Sequence, residues 1–393
     1  MNKLVETRRL LIRRILPFLI PTLNKRGRHI VAKLLLVFTV FILARPGQAL
    51  IFNTTYDSSV SSLGNAAQVE TAFAAAEQMF QGQYTNAIAI NILVYWGSPS
   101  LGESLTHYVG NPSYSQLTNA LRSARSSAAD SNSVASLPGN NPISPAPWWI
   151  PRAEAKVLGT NAAGLGMVFG VPPNDPGEDG QIGFEADVTY TFDPTNRAVS
   201  GKFDFIGVAE HEISEVLGRS FGLGQLGGGY IPYDLFRFTN GVRNLSVNGT
   251  NIYLSIDNGL TALKFFNTNG NGGDIQDWQS STPPDACDAF VPSGNQLIFS
   301  TNDIIALDIL GYNIPPVASP RLTGRRLAGG TFQITFTNVP NTGFTVLIST
   351  NLSLPSTNWM VLGAAIEGLP GQFFFNDSQA AANKLRFYRV RSP

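Results

Sequence analysis

The sequence predicts an α+β body over residues 50–315 followed by a small all-β sandwich over residues 316–393. Three observations give that division. Between Val69 and Arg219, stretches with apolar residues at helical spacing alternate with stretches at strand spacing. Pro315, Pro316 and Pro320 then interrupt the chain. Beyond them the apolar runs are short and alternating, and the charge changes sign: seven Lys and Arg face two acids after Pro320, whereas the body is acidic.

Residues 1–49 hold ten of the 27 Lys and Arg and one of the 27 Asp and Glu. A basic stretch leads into the apolar run 34–44 (LLLVFTVFILA), and Gly47 and Ala49 are small residues flanking a cleavage point after Ala49. This is the layout of a secretory signal peptide, and the run is short of the roughly 20 residues that span a bilayer. The expected location is secreted or cell-surface, with no stable membrane span after cleavage; an uncleaved anchor is the second reading. What remains holds 17 basic against 26 acidic residues, so nothing points to a nucleic-acid partner. Cys287 is the only cysteine, which excludes an intrachain disulfide.

Taken in order, residues 69–80 (VETAFAAAEQMF) read as a helix. Residues 87–96 (AIAINILVYW) alternate and read as a strand with one strongly apolar face. A helix follows over 114–129, a Pro-rich loop over 138–151, a short helix over 153–158 and a strand region over 180–192. The Gly- and Asp-rich loop from Gly166 to Gly180 has the hard oxygen donors that suit calcium, although its spacing fits no defined calcium loop and a solvated turn is the plainer reading. Further on, 251–256 reads as a strand, 267–277 as turn-rich and 300–312 as a capped helix ending at Gly311.

The stretch AEHEISEVLGR, Ala209 to Arg219, organises the body. Phe205, Ile206, Val208, Ile213, Val216 and Leu217 are spaced three and four apart, and Gly218 stands where a helix would stop. His211 and Glu215 therefore leave one face a turn apart, with Glu212 beside them. Two metal-ligating side chains with a carboxylate adjacent suit a metal that acidifies water and a base that takes its proton. The bland reading is that Glu210, Glu212 and Glu215 form a solvated helix face.

The stretch resembles the HExxH helix of zinc metalloproteases, and most closely the metzincin and matrixin form HExxHxxGxxH. His211, Glu212 and Gly218 match; Glu215 replaces the second His and Phe221 stands at the third ligand. Residues 300–312 (STNDIIALDILGY) are similar to the closing helix of matrixin-type domains. The Met-bearing turn of that family has no Met here, and DACDAF, Asp285 to Phe290, occupies its stretch, with Asp285, Cys287 and Asp288 as available donors. The resemblance implies a zincin-like catalytic domain, a twisted sheet backed by helices, that hydrolyses peptide bonds in protein or peptide substrates with zinc. It assigns Glu212 as general base and His211 and Glu215 as ligands. With His107 and His211 the only histidines after residue 49, a three-His site is excluded and another ligand is needed. Asp234, set between apolar neighbours in YIPYDLFRF, is the first candidate; a salt bridge to Arg219 or Arg237 is the alternative. A carboxylate-rich set also lowers selectivity for zinc and admits calcium.

The C-terminal runs TFQITFT, FTVLIST, NWMVLG, QFFFN and KLRFYRV resemble a fibronectin type III-like module, which implies an attaching or spacing role. Two functions follow from these residues: a secreted zinc-dependent endopeptidase, or a non-catalytic exported surface or adhesion protein on a degenerate zincin scaffold.

Overall fold

The computed structural model describes residues 50–161, 169–315, 320–327, 329–338, 343–355, 358–368, 371–383 and 385–391. The leader, its cleavage point and the residues that open the Gly166 loop lie outside them. Helices and several sheets are mixed along the chain, as the α+β class requires. No helix among the described residues is long and apolar enough to cross a membrane.

The body is built on strands β1 (Ile51–Tyr56), β2 (Ala89–Ser98), β3 (Gly102–Thr106) and β6 (Gly180–Glu185). They form a sheet in the order β1-β2-β6-β3, in which β1, β2 and β6 run parallel and β3 is an antiparallel edge. The alternation read in 87–96 is the reason β2 is central: Ile90, Ile92 and Val94 are fully buried. Strand β3 (GESLT) has no such pattern because it is an edge, with Leu105 54% exposed.

Helix α1 (Ser58–Ser61) is followed by α2 (Ala66–Gln83), which extends the predicted helix at both ends. The predicted helix over 114–129 is two helices, α3 (Tyr114–Ala124) and α4 (Ala128–Ala135), after the short strand β4 (Tyr108–Gly110). Capping explains the break: Ser113 and Gln116 form a capping box at the start of α3, and Ser127 accepts from the Asp130 amide to start α4. Strand β5 (Trp149–Pro151) leads into α5 (Arg152–Asn161). Lys156 on α5 is fully buried, and its ammonium donates to Asp179 and to the carbonyls of Ala89 and Asp175. Asp175 is paired with Arg152. In the described part of the loop suggested for calcium, Arg152 and Lys156 therefore already pair with Asp175 and Asp179, and a calcium ion at Asp179 would have to displace Lys156.

Short strands β7 (Tyr190–Thr191) and β8 (Phe203–Asp204) precede α6 (Phe205–Val216), the His211 helix. Its first residue anchors an aromatic cluster: Phe205 lies 4.4 Å from Phe184, 5.0 Å from Phe192 and 5.5 Å from Tyr190 between ring centroids. Its end is fixed by Gly218 at φ +124° and by the Tyr312 hydroxyl, which donates to the Leu217 carbonyl at 2.8 Å. A 3₁₀ turn, Pro232–Phe236, follows, then a small sheet ordered β10-β9-β11-β12 from β9 (Arg237–Thr239), β10 (Val242–Arg243), β11 (Tyr253–Leu254) and β12 (Lys264–Phe265). The strand expected at 251–256 is thus two residues long. Helix α7 (Thr301–Asp308) closes the body behind Ser300, as its capping signature predicts.

After Pro320 the described residues hold strands and one 3₁₀ turn, Ala380–Ala382. Strands β13 (Thr323–Arg326), β14 (Phe332–Thr337), β17 (Ile366–Glu367) and β18 (Gln372–Asp377) form one antiparallel sheet, and β15 (Thr345–Ser349), β16 (Met360–Ala364) and β19 (Phe387–Arg391) another. This part has its own small core of Phe336, Phe344 and Phe373, separate from the body's.

Candidate metal centre

The backbone geometry of α6 does what the sequence spacing demands. Nε2 of His211 lies 3.4 Å from Oε1 of Glu215, one turn on. The third member is Asp277, whose Oδ1 lies 3.3 Å from the same nitrogen. The ligand atoms of His211, Glu215 and Asp277 all fall within 4.8 Å of one another. All three side chains are largely buried, at 13%, 6% and 6% exposure.

Each member is held by a second layer. Nδ1 of His211 donates to the Ala286 carbonyl at 2.9 Å, because a carbonyl can only accept. That fixes the ring and leaves Nε2 facing the carboxylates, the orientation in which an imidazole ligates a cation. Glu215 Oε2 accepts from the Ser104 hydroxyl on edge strand β3 at 2.7 Å, and Oε1 accepts from the Gln276 amide at 3.0 Å. Arg219, fully buried, donates to Asp277 at 3.0 Å and to Glu215 at 3.4 Å, while its Nε donates to Ser214 at 2.7 Å.

Electrostatics follow from this packing. Burial works against a charged His211, but Asp277 and Glu212 outweigh it and raise the imidazole well above its ordinary range. Burial also penalises ionised Glu215, but the hydrogen bond and charge of His211 together with Arg219 bring it down to about 2. The cluster is therefore an electronegative hole that draws positive charge, whether a proton on Nε2 or a cation in its place. Separations of 3.3 and 3.4 Å also match the edge of a tetrahedron about an ion bound at about 2.0–2.1 Å, which is about 3.3 Å. Imidazole nitrogen and carboxylate oxygen are both ligand types for zinc and for other divalent cations, and that is the fit on which a metal rests.

Glu212 lies beside the cluster at 5% exposure and accepts no hydrogen bond among the described residues. Burial raises its carboxyl well above the usual range, and the charges of Glu215 and Asp277 add to that. Its carboxylate lies against Gly102 at the start of β3, where a Cβ would overlap Glu212 and come within 2.7 Å of Val208. Glu212, His211 and Asp277 share a cavity of about 190 Å³ with Leu101, Gly102 and Asp274.

His211, Glu215 and Glu212, all predicted, are thus brought together. Asp234 is not, and its assignment as third ligand is corrected. It is fully buried and accepts from the backbone amides of Gly222, Leu223 and Ile231 at 3.1, 2.9 and 2.9 Å, so it pins the glycine-rich turn that leads out of the helix. Neither Arg219 nor Arg237 is its ion-pair partner: Arg219 serves the cluster and Arg237 donates to Asn244 and Ser246. His107 also stands apart, with Nδ1 3.0 Å from the Glu178 carbonyl. Phe221, at the position of the missing His, stacks on Tyr233 with ring centroids 5.2 Å apart. The DACDAF stretch touches His211 through the Ala286 carbonyl and supplies no side-chain ligand to the group. Asp277 was missed because it ends a turn-rich loop; the one available signal was an acid directly before the buried Trp278.

No protein-family model matches this chain, and no curated protein and no solved structure matches it.

Proposed function

We propose that the protein is an exported metal-dependent endopeptidase of the zincin type, in which His211, Glu215 and Asp277 hold zinc and Glu212 is the general base. The observation that supports it most is the convergence of three ligand-type side chains on one another, two of them, His211 and Asp277, lining a cavity that an unbonded, buried carboxylate, Glu212, also lines. When bound, zinc supplies an acidified water and polarises the substrate carbonyl. Glu212 takes the proton from the attacking water and hands it to the departing amine, a role favoured by a carboxyl whose affinity for protons is raised. The free edge of β3 gives an extended peptide backbone partners beside the cavity, with Leu101 and Gly102 at its mouth. The C-terminal sheets, in this reading, are a fibronectin type III-like attachment module, and the leader directs export.

The test is purified protein assayed for metal and for casein cleavage. The expected result is about one zinc per chain and cleavage that Glu212→Gln lowers by roughly 10²–10⁴-fold with zinc retained. Protein that takes up no zinc, or a Glu212→Gln variant as active as the parent, overturns the assignment. One observation favours the second reading, a non-catalytic surface protein on a decayed scaffold: Arg219 already pairs with both carboxylates, and such a network holds together without a metal.

A further inference from the structure

The cavity beside His211 holds one carboxylate that the proposed chemistry leaves without a task. Four carboxyl side chains line it: Glu212, Asp274, Asp277 and Asp288. Asp277 is bonded to Arg219, and Asp288 accepts from Ser281 and from the Asp285 amide. Glu212 is the proposed base. Asp274 remains: it is exposed at the rim of the cavity, its backbone carbonyl accepts from Asn267, and its carboxylate makes no hydrogen bond or ion pair among the described residues. The only cationic group among the lining residues is the His211 ring.

The rest of the lining is apolar or bare backbone. Leu101, Val208, Ala286, Val291 and Leu297 form walls, and Gly272 and Gly273 leave the Asp274 side without side chains. At about 190 Å³ the space is smaller than the roughly 300 Å³ at which small-molecule pockets begin, and fits a single side chain. A side chain that runs past these apolar walls to the exposed carboxylate of Asp274 has an aliphatic stem and a cationic tip. Glu212, buried and unbonded, adds negative potential to the same space.

We infer that this cavity is a subsite for a basic side chain, so that the peptide substrate presents Lys or Arg next to the scissile bond with its cation on Asp274. This rests on the endopeptidase reading above and narrows its substrate class.

The experiment uses zinc-loaded full-length protein and peptides identical except at one position, bearing Lys, Arg, norleucine or Glu, with cleavage sites read by mass spectrometry. The expected result is Lys and Arg preferred over norleucine by about tenfold in kcat/KM, the worth of one charge-assisted contact. Asp274→Asn brings that ratio close to one, and Asp274→Lys reverses it in favour of Glu. Binding gives a readout apart from turnover: the Lys peptide binds the inactive Glu212→Gln variant more tightly than the norleucine peptide does, and adding Asp274→Asn removes the difference. Cleavage that depends on Glu212 but shows no basic preference, or a preference that survives Asp274→Asn, overturns the subsite and leaves the endopeptidase reading standing. Absence of any Glu212-dependent cleavage overturns both.

Discussion

Two buried groups among the described residues have the composition of a metal site, and they behave differently. One is His211, Glu215 and Asp277; the other is Asp285, Cys287 and Asp303. In the second, Asp285 accepts from the Cys287 amide and is paired with Lys264. Asp303 accepts from Trp278 Nε1 at 2.5 Å and from the Ser300 amide at 2.5 Å, capping helix α7. The Cys287 thiol is 3.7 Å from the Ser214 hydroxyl, and burial pushes its pKa well above the usual range. Every donor there is taken by a neighbour or kept from ionising. In the first group, the imidazole nitrogen that faces the carboxylates carries an exchangeable proton whose place a cation can take, and a cavity opens beside it. Composition makes a cluster; ligand atoms converging beside an open volume, with only a proton to displace, make a site.

The largest predicted difference is in metal content. His211→Ala abolishes zinc uptake, whereas Cys287→Ala leaves it at about one ion per chain, measured by atomic absorption after dialysis. Zinc lost on changing Cys287 but kept on changing His211 would exchange the roles of the two groups.

The two groups also differ in how metal-free protein responds to pH. Burial and the charge of Asp285 raise Asp303 to about 7. Its folded pKa exceeds the unfolded value of about 3.9, so its contribution is full below about pH 4 and is lost as pH rises through 7. Glu215 has the opposite sign: at about 2 it lies below its unfolded value, so its contribution is full above about pH 4.5 and is lost as pH falls. Denaturant unfolding should therefore show stability falling by roughly 3–4 kcal/mol between pH 4 and 8 through Asp303. Asp303→Asn should make that slope shallower, whatever it costs at any one pH, with Glu210, Asp234 and Asp308, each raised to about 7, supplying the remainder. An unchanged slope would assign the dependence to another group.

What could be read from the sequence was whatever one element decides by itself. The turn between His211 and Glu215 is fixed by helical geometry, and the alternation in β2 by burial of a single face. Glu212 came with them as their neighbour. What could not be read was set by contacts between elements. Asp277 meets His211 only because the loop from β12 folds across the helix, and nothing local in NTNGNGGDIQD distinguishes its last acid from the others. Strand β3 escaped notice because an edge needs no apolar face. Asp234 was misjudged for a different reason. Burying a carboxylate is costly, and three peptide amides, more than the nearby charge of Arg237, offset part of that cost.

That last point gives a test outside the metal cluster. Asp234→Ala strands three buried amides and should cost about 3 kcal/mol or more, seen as a lower denaturation midpoint, while zinc content stays unchanged. Had Asp234 been a ligand, zinc would fall with it.

The smallest expected effect probes the second layer of the metal group. Ser104 is the only described contact by which edge strand β3 holds a member of the group by its side chain, through its 2.7 Å hydrogen bond to Glu215. Removing such an outer partner leaves the ligand in place but free to turn, and typically weakens metal binding by roughly 10–100-fold. Ser104→Ala should therefore reduce zinc affinity by that amount in a competition titration with a chromophoric chelator, with little change in fold stability because Ser104 lies on an edge strand and is not fully buried. An equal substitution at Ser133, which is fully buried and donates to the Asp130 carbonyl, should do the reverse, lowering stability and leaving zinc affinity alone. If both serines move zinc affinity alike, the weakening reflects general loosening of the body, and the hydrogen bond from β3 has no special part in holding Glu215.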